Sequence, residues 1–491
     1  PTRRSSDLLR TGTVVSGLSL SARAAAYGCD ITYCTGKELV FDYLKDRSAA
    51  GAGASQATLA LQAVAGGDRT AGTLLRGLHF ALVDEADSIF IDEARTPLIL
   101  AEKAGLPRRP ALYGEALALA RRMVAGMHYR LSLPRRAVDL THGGRAWLTE
   151  QAVLLGHEWT GRAAREHLAL QALRALHLFH ADDQYIVRDG KVQIVDEQTG
   201  RMLDGRTWEQ GLHQLLEVKE GCEMSEHTRT RARITYQRFF RRYLRLSGMT
   251  GTARDVAGEL WSVYGLHTVR IPTHRPVRRT LLPTECLPTQ ADKQRRLTQQ
   301  VRALMADGRA VLVGTRSVAD SQALSACFQT AGIAHRVLNA RQDADEAELV
   351  RQAGQPGAVT IATDMAGRGT DIKLHEAVRD RGGLHVLMTA FHDARRVDRQ
   401  LLGRAARQGD PGSAQAIVAL DDELFTVHAA LPQAVLLALA RRLRLPTAGW
   451  LAVLLRHLAQ RRASRVHRAQ RQEAARRDDQ LARSLGFTGQ G

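Results

Sequence analysis

An apolar run, Phe80–Val83, ends directly in Asp84-Glu85-Ala86-Asp87, so three acids lie within four residues of a strand's carboxyl end. In an open parallel sheet that is where ligands bind, which turns such acids toward a site rather than a core. A nucleotide-hydrolysing centre needs one carboxylate to hold Mg²⁺ and a second to orient the attacking water. Asp84 has the position for the metal and Glu85 for the water. Asp87 suits a structural or coupling contact better than a catalytic one. The alternative for an isolated string of this kind is a solvated turn.

A second cluster lies far along the chain. Gly367-Arg368-Gly369-Thr370-Asp371 follows the strand candidate Val359–Ala362. Its glycines let backbone N–H groups come close to phosphate, and Asp371 can accept from ribose hydroxyls. Gln400-Leu401-Leu402-Gly403-Arg404 and Arg407 form a third. Arg404 and Arg407 are three apart on an apparent helix, which gives them one face. Their guanidinium forks suit the charge that develops on a transferring phosphoryl group. Ser247–Ala253, SGMTGTA, reads as a small, hydroxyl-rich loop.

These clusters need elements to position them. Apolar runs alternate with helical stretches, the pattern of an α/β architecture. Strands are expected at Asp30–Tyr33, Phe80–Val83, Val192–Val195, Val311–Val313, Arg336–Leu338, Val359–Ala362, His385–Met388 and Gln415–Ala419. A helix is expected over Gln290–Ala306, with Leu297, Val301 and Leu304 on one face and Gly308 as its stop. Arg270–Pro276, RIPTHRP, carries two prolines in a basic run and reads as an interdomain linker. No internal repeat of fixed period is visible beyond the recurrence of α/β units.

A chain of 491 residues calls for two to four domains. The net charge of +18 asks for an anionic partner, whether nucleic acid, acidic lipid or nucleotide. Aromatics at 5% are too sparse for a base-stacking surface. No run reaches the roughly 18 apolar residues of a spanning helix. The nearest, Phe425–Ala440, holds His428 and Pro432. The N-terminus lacks a secretory pattern, so a cytoplasmic protein is expected. Cys29, Cys34, Cys222, Cys286 and Cys327 contain no CxxC pair, which points away from a zinc site or a disulfide framework.

Six blocks, in order, resemble the SecA preprotein translocase ATPases: Cys29–Asp46 (CDITYCTGKELVFDYLKD), Phe80–Ile99, Tyr185–Gly221, Ser247–Ala253, Thr360–Lys373 and Gln400–Gly412. The likeness is to the shorter, accessory-like members. It implies an α/β fold with two RecA-like parallel-sheet motor domains, an inserted preprotein-binding domain and a helical C-terminal segment. Residues 1–100 and 181–272 would form the first nucleotide-binding domain, 101–180 a shortened insertion, 273–425 the second motor domain and 426–491 the helical segment. The implied activity is ATP- and Mg²⁺-dependent movement of unfolded preproteins through a SecYEG-type channel. The place of work would be the cytoplasmic face of the inner membrane, with acidic phospholipids as partners and a homodimer admitted. Nucleic acid is not expected as a partner. Two alternatives stay open: a DEAD-type helicase on the same motor, and an ATPase-deficient remnant that binds preprotein or membrane.

One family element is missing from the sequence. No G-x-x-x-x-G-K-[ST] occurs, and Gly36-Lys37 is followed by Glu38. The resemblance places that loop before Cys29, and the opening residues PTRRSSDL match nothing in the family. An N-terminally truncated sequence is therefore expected, inactive by itself for want of the phosphate loop.

Overall fold

The computed structural model describes residues 9–49, 73–103, 109–133, 136–156, 159–195, 207–208, 210–226, 228–338, 346–363, 371–430, 432–435, 438 and 449–487. The chain divides into two compact units, one of Pro1–Ala104, Thr228–Arg270 and His467–Gly491, the other of Gly105–His227 and Ile271–Val466.

In the first unit, Thr11–Val14 pairs parallel with Ile31–Cys34, and Phe80–Asp84 pairs parallel with Arg245–Met249. Phe90, Ile91, Phe239, Phe240 and Leu260 form its core with Val40 and Leu44 of the helix Gly36–Ala49. Arg23 and Asp42 are buried together at 2.8 Å, and Tyr27 donates to the same carboxylate oxygen at 3.0 Å. A buried charge stays ionised only with such partners. Leu98–Lys103 and Thr228–Ile234 run antiparallel. The chain therefore leaves and re-enters on adjacent strands, and an excursion of that kind leaves the parent packing unbroken.

The excursion packs around its own core, in which Tyr113, Leu117 and Trp159 meet Tyr185, Leu215 and Met224. Packing thus continues past residue 180, where sequence reading ended the insertion. The short strands Tyr185–Arg188 and Lys191–Ile194 carry an alternation that any sheet could accept, so pattern alone does not assign them. A local repeat also emerges that the sequence concealed. Two hairpins, Tyr129–Ser132 with Ala137–Leu140 and Tyr185–Arg188 with Lys191–Ile194, open on the same turn. Gly126 donates its N–H to Tyr129 O at 2.8 Å, and Asp182 donates to Tyr185 O at 2.7 Å. Both turn residues have positive φ, +83° and +65°. Only Ala-x-x-x-Tyr is common to the two sequences.

The rest of the second unit is built on a parallel sheet. From one edge its order is Arg278–Leu281, Pro411–Ala419, Leu384–Met388, Val311–Thr315, Val359–Thr363 and Arg336–Leu338, with Glu285–Leu287 paired along the later part of Pro411–Ala419. Val311–Thr315, Val359–Thr363 and Leu384–Met388 are buried along their whole length, as a sheet covered on both faces requires. The helix Gln290–Ala306 forms over the expected residues and buries Leu297, Val301 and Leu304, with Thr289 as its N-cap. All eight expected strands are present within a few residues of their predicted bounds.

The helix Gly449–Phe487 closes the chain. Ala452, Leu455, Ala459 and Ala463 lie in the core of the second unit, at helical spacing. Further on, Arg471 makes a bidentate pair with Glu259, both contacts at 2.7 Å, within the first unit. The sequence also carries an apolar stripe over Leu443–His457, of which residues 443–448 lie outside the described residues.

Candidate nucleotide site

Each unit carries part of the candidate set of residues. In the first, Asp84 ends its strand directly opposite Met249 of the neighbouring parallel strand. Asp84 is exposed, and one of its carboxylate oxygens accepts the Glu85 N–H at 2.8 Å. Glu85 has φ +48°, in the left-handed region that non-glycine residues rarely adopt. A strained backbone held at the carboxyl end of a strand is a feature of built sites. Asp84 keeps carboxylate surface open to solvent beyond that internal bond. This suits a small hard cation that takes one protein carboxylate and finds its other ligands among phosphates and water. Among the described residues no cluster of three His, Cys, Asp or Glu could enclose a metal unaided.

Asp87 is fully buried and accepts from two hydroxyls, Thr250 at 2.6 Å and Thr252 at 2.8 Å. The acidic strand end is thereby tied to the segment after Arg245–Met249. Ser247 and Gly248, read from the sequence as loop, belong to that strand instead. Gly248 is dictated by contact, because a Cβ there would sit 2.7 Å from the Ala86 methyl and 3.0 Å from Val83 O.

In the second unit the strand Val359–Thr363 ends at Thr363, and the described chain resumes at Asp371. Gly367, Arg368, Gly369 and Thr370 lie outside the described residues. Lys373 O packs so closely on Gly354 that a Cβ there would be 2.0 Å away, and His375 N–H donates to Gly354 O at 3.0 Å.

Arg404 and Arg407 are not on a helix. The helix Arg395–Leu402 carries Gln400, stops at Gly403, and is followed by a turn with Ala406 at φ +58° and Gln408 at φ +55°. Helical spacing therefore misreads their placement. The sequence gives no warning, since neither αL position is a glycine. Arg407 reaches Asp371 at 3.4 Å, both side chains partly exposed, which joins two of the predicted clusters. The charged residues Arg275, Asp371, Lys373, Arg379, Arg404, Arg407 and Asp410 line a cleft of about 210 Å³. Five of these seven are cationic and two acidic, so the balance of charge favours an anion. Burial, and secondarily the Arg407 guanidinium, push the neighbouring Arg279 below the usual arginine range, and an anion would relieve that repulsion.

Sequence reading missed two participants. Arg279 Nε donates to Ala405 O at 3.1 Å, and Arg275 Nη1 donates to Gln408 O at 3.1 Å. Arg275 falls in the basic run Arg270–Pro276, read only as a linker, and Arg279 lies just beyond it; nothing in the spacing singles either out.

Residues 7–261 match the family of the SecA DEAD-like domain, and residues 276–378 and 374–441 that of the SecA P-loop domain. Protein translocase subunit SecA 2 of Nitrosospira multiformis is 47% identical over 489 residues, 98% of this chain and 72% of the relative. Protein translocase subunit SecA of Solidesulfovibrio magneticus is 44% identical over 85% of this chain, which spans 47% of that longer protein. A solved structure of the E. coli DEAD-box protein SrmB covers 32% of this chain and 88% of its own at 20% identity. Its TM-score is 0.24, too low to define a shared fold by itself. By its two matched domains, and by near-complete overlap at almost half identity with a curated member, the chain belongs to the SecA protein translocase family.

Proposed function

We propose that the chain supplies the hydrolytic and charge-neutralising groups of an ATP-driven protein translocase. Asp84 holds Mg²⁺, and the ion, when bound with ATP, neutralises phosphate charge. Glu85 orients and polarises the attacking water. Arg404 and Arg407, with the Gly367–Asp371 segment, Gln400 and Gly403, form the second motor domain's contribution. The arginines meet phosphoryl charge, and Asp371 faces the ribose once an anion competes for Arg407. Residues 105–227 fit the role of the preprotein-binding insertion. The partners would be unfolded preproteins, a SecYEG-type channel and acidic phospholipids at the cytoplasmic face of the inner membrane.

The observation that carries this reading is Asp87. It couples the acidic strand end to Thr250 and Thr252, so a change at the hydrolytic carboxylates must move the segment that leads on toward the linker. Motors need such a connection, and simple nucleotide-binding modules do not.

Glu85→Gln in the complete gene product should keep ATP binding and lower turnover by about a hundred-fold or more. Steady-state hydrolysis and binding of a fluorescent ATP analogue check this. Unchanged hydrolysis would remove Glu85 from its role. The 491 residues contain no G-x-x-x-x-G-K-[ST], so the same assay on these residues alone should show no turnover.

A further inference from the structure

The arginine turn after Gly403 is an irregular segment with two non-glycine residues at positive φ, Ala406 and Gln408. Such backbone persists only where its surroundings hold it. One wall is the strand that follows, where a Cβ on Gly412 would come within 2.6 Å of Ala406 N. The turn's carbonyls need donors as well. Arg279 Nε supplies one to Ala405 O, and Arg275 Nη1 supplies one to Gln408 O, both at 3.1 Å. The Arg275 side chain also lies over Gly409, which has φ +83° and where a Cβ would sit 3.0 Å from Arg275 Cδ. The two donors flank the segment that carries Arg407.

Their place in the chain gives the contacts meaning. Arg275 lies within the segment that enters the second unit at Ile271, and Arg279 lies on the first strand of that unit's sheet. The polypeptide joining one unit to the other is therefore hydrogen-bonded to the turn whose side chains would meet phosphate.

We propose that Arg275 and Arg279 are positioning residues. Through two backbone carbonyls they fix the turn that presents Arg404 and Arg407, so that displacement of the linker withdraws those guanidiniums from the nucleotide. This rests on the reading of Arg404 and Arg407 as phosphoryl-contacting groups. A guanidinium misplaced by about 1 Å loses most of its effect on a transition state. A linker that moves during the cycle thus gates hydrolysis without touching ATP.

The test compares kcat and KM for ATP in the complete gene product carrying Arg407→Ala, Arg275→Met, Arg279→Met, Arg275→Lys or the double change Arg275→Met/Arg407→Ala. Arg407→Ala should lower kcat about a hundred-fold. Arg275→Met and Arg279→Met should each lower kcat about ten-fold with KM unchanged, and Arg275→Lys, which keeps a donor, should recover most of the loss. The double variant should lose less than the product of the two single losses, because the linker arginine acts through the turn and only its effect on Arg404 survives removal of Arg407. Full activity in Arg407→Ala would overturn the site reading itself. A slow Arg407→Ala beside a fully active Arg275→Met would overturn the positioning role alone, as would losses that multiply in the double variant. Arg279 is partly buried and its replacement can cost folding, whereas Arg275 is exposed, so the Arg275 variants decide the matter.

Discussion

His385 shows how a single side chain ties local chemistry to the behaviour of a whole sheet. It sits fully buried on Leu384–Met388, its Nδ1 2.6 Å from Ser413 Oγ, and Arg309 Nη2 donates to the same hydroxyl at 2.8 Å. Burial, and secondarily the nearby Arg309 charge, lower its pKa from 6.5 to about 4. The unfolded chain therefore takes up a proton near pH 6.5 that the folded chain refuses until about pH 4. Stability from this residue is intact above pH 6.5, falls as pH drops through that window, and levels off below it. The full loss is ~3 kcal/mol, at about 1.4 kcal/mol per unit of pKa difference. Chemical denaturation of the second unit between pH 7 and pH 4 should show this decline, and His385→Asn, which can still bond Ser413, should flatten it. An identical slope in the variant would assign the pH dependence to carboxylates instead.

At the scale of elements, the same unit places the candidate site through close backbone approaches that tolerate no side chain. Gly354 is the sharpest case, because the atom a Cβ would meet at 2.0 Å is the carbonyl oxygen of Lys373, which cannot rotate away. Gly354→Ala should destabilise the unit by about 1–3 kcal/mol. It should also displace Asp371 from Arg407, read as a lower melting temperature together with weaker nucleotide binding. A melting temperature equal to the parent's would mean the segment is free to shift. This distinction marks what was legible in the sequence. The eight strands and the helix over Gln290–Ala306 follow from hydrophobic pattern and, for the helix, from the Gly308 stop, which act locally. The acidic strand end follows from the abrupt change at Asp84. The non-helical turn at Arg404–Arg407 and the hydrogen bonds from Arg275 and Arg279 depend on contacts across more than a hundred residues and on αL residues that are not glycine. Those leave no local signal.

For the whole molecule the governing quantity is its excess of 18 positive charges, and the closing helix shows where part of it is available. Arg471 is buried against Glu259, and Arg462 Nη1 donates to His428 O, so these two are committed. Arg461, Arg465, Arg468 and Arg476 are exposed along the same helix, and near its start Val453, Leu454 and Leu458 are exposed as well. No helix among the described residues is long and apolar enough to cross a membrane. A basic stripe beside exposed aliphatics suits attachment to an anionic bilayer surface, at about 1 kcal/mol for each arginine near it. Single-stranded RNA would answer to the charge but not to the aliphatics, and the sparse aromatics give its bases little to stack on. Sedimentation with vesicles containing a third phosphatidylglycerol should capture the protein at 50 mM salt and release only part of it at 500 mM. Neutral vesicles should capture none. Reversing Arg461, Arg465 and Arg468 to Glu should abolish capture while leaving the fold intact, since none of the three is buried. In the complete gene product, the same vesicles should stimulate ATP hydrolysis more than RNA does. Stronger stimulation by RNA would return the helicase alternative to first place.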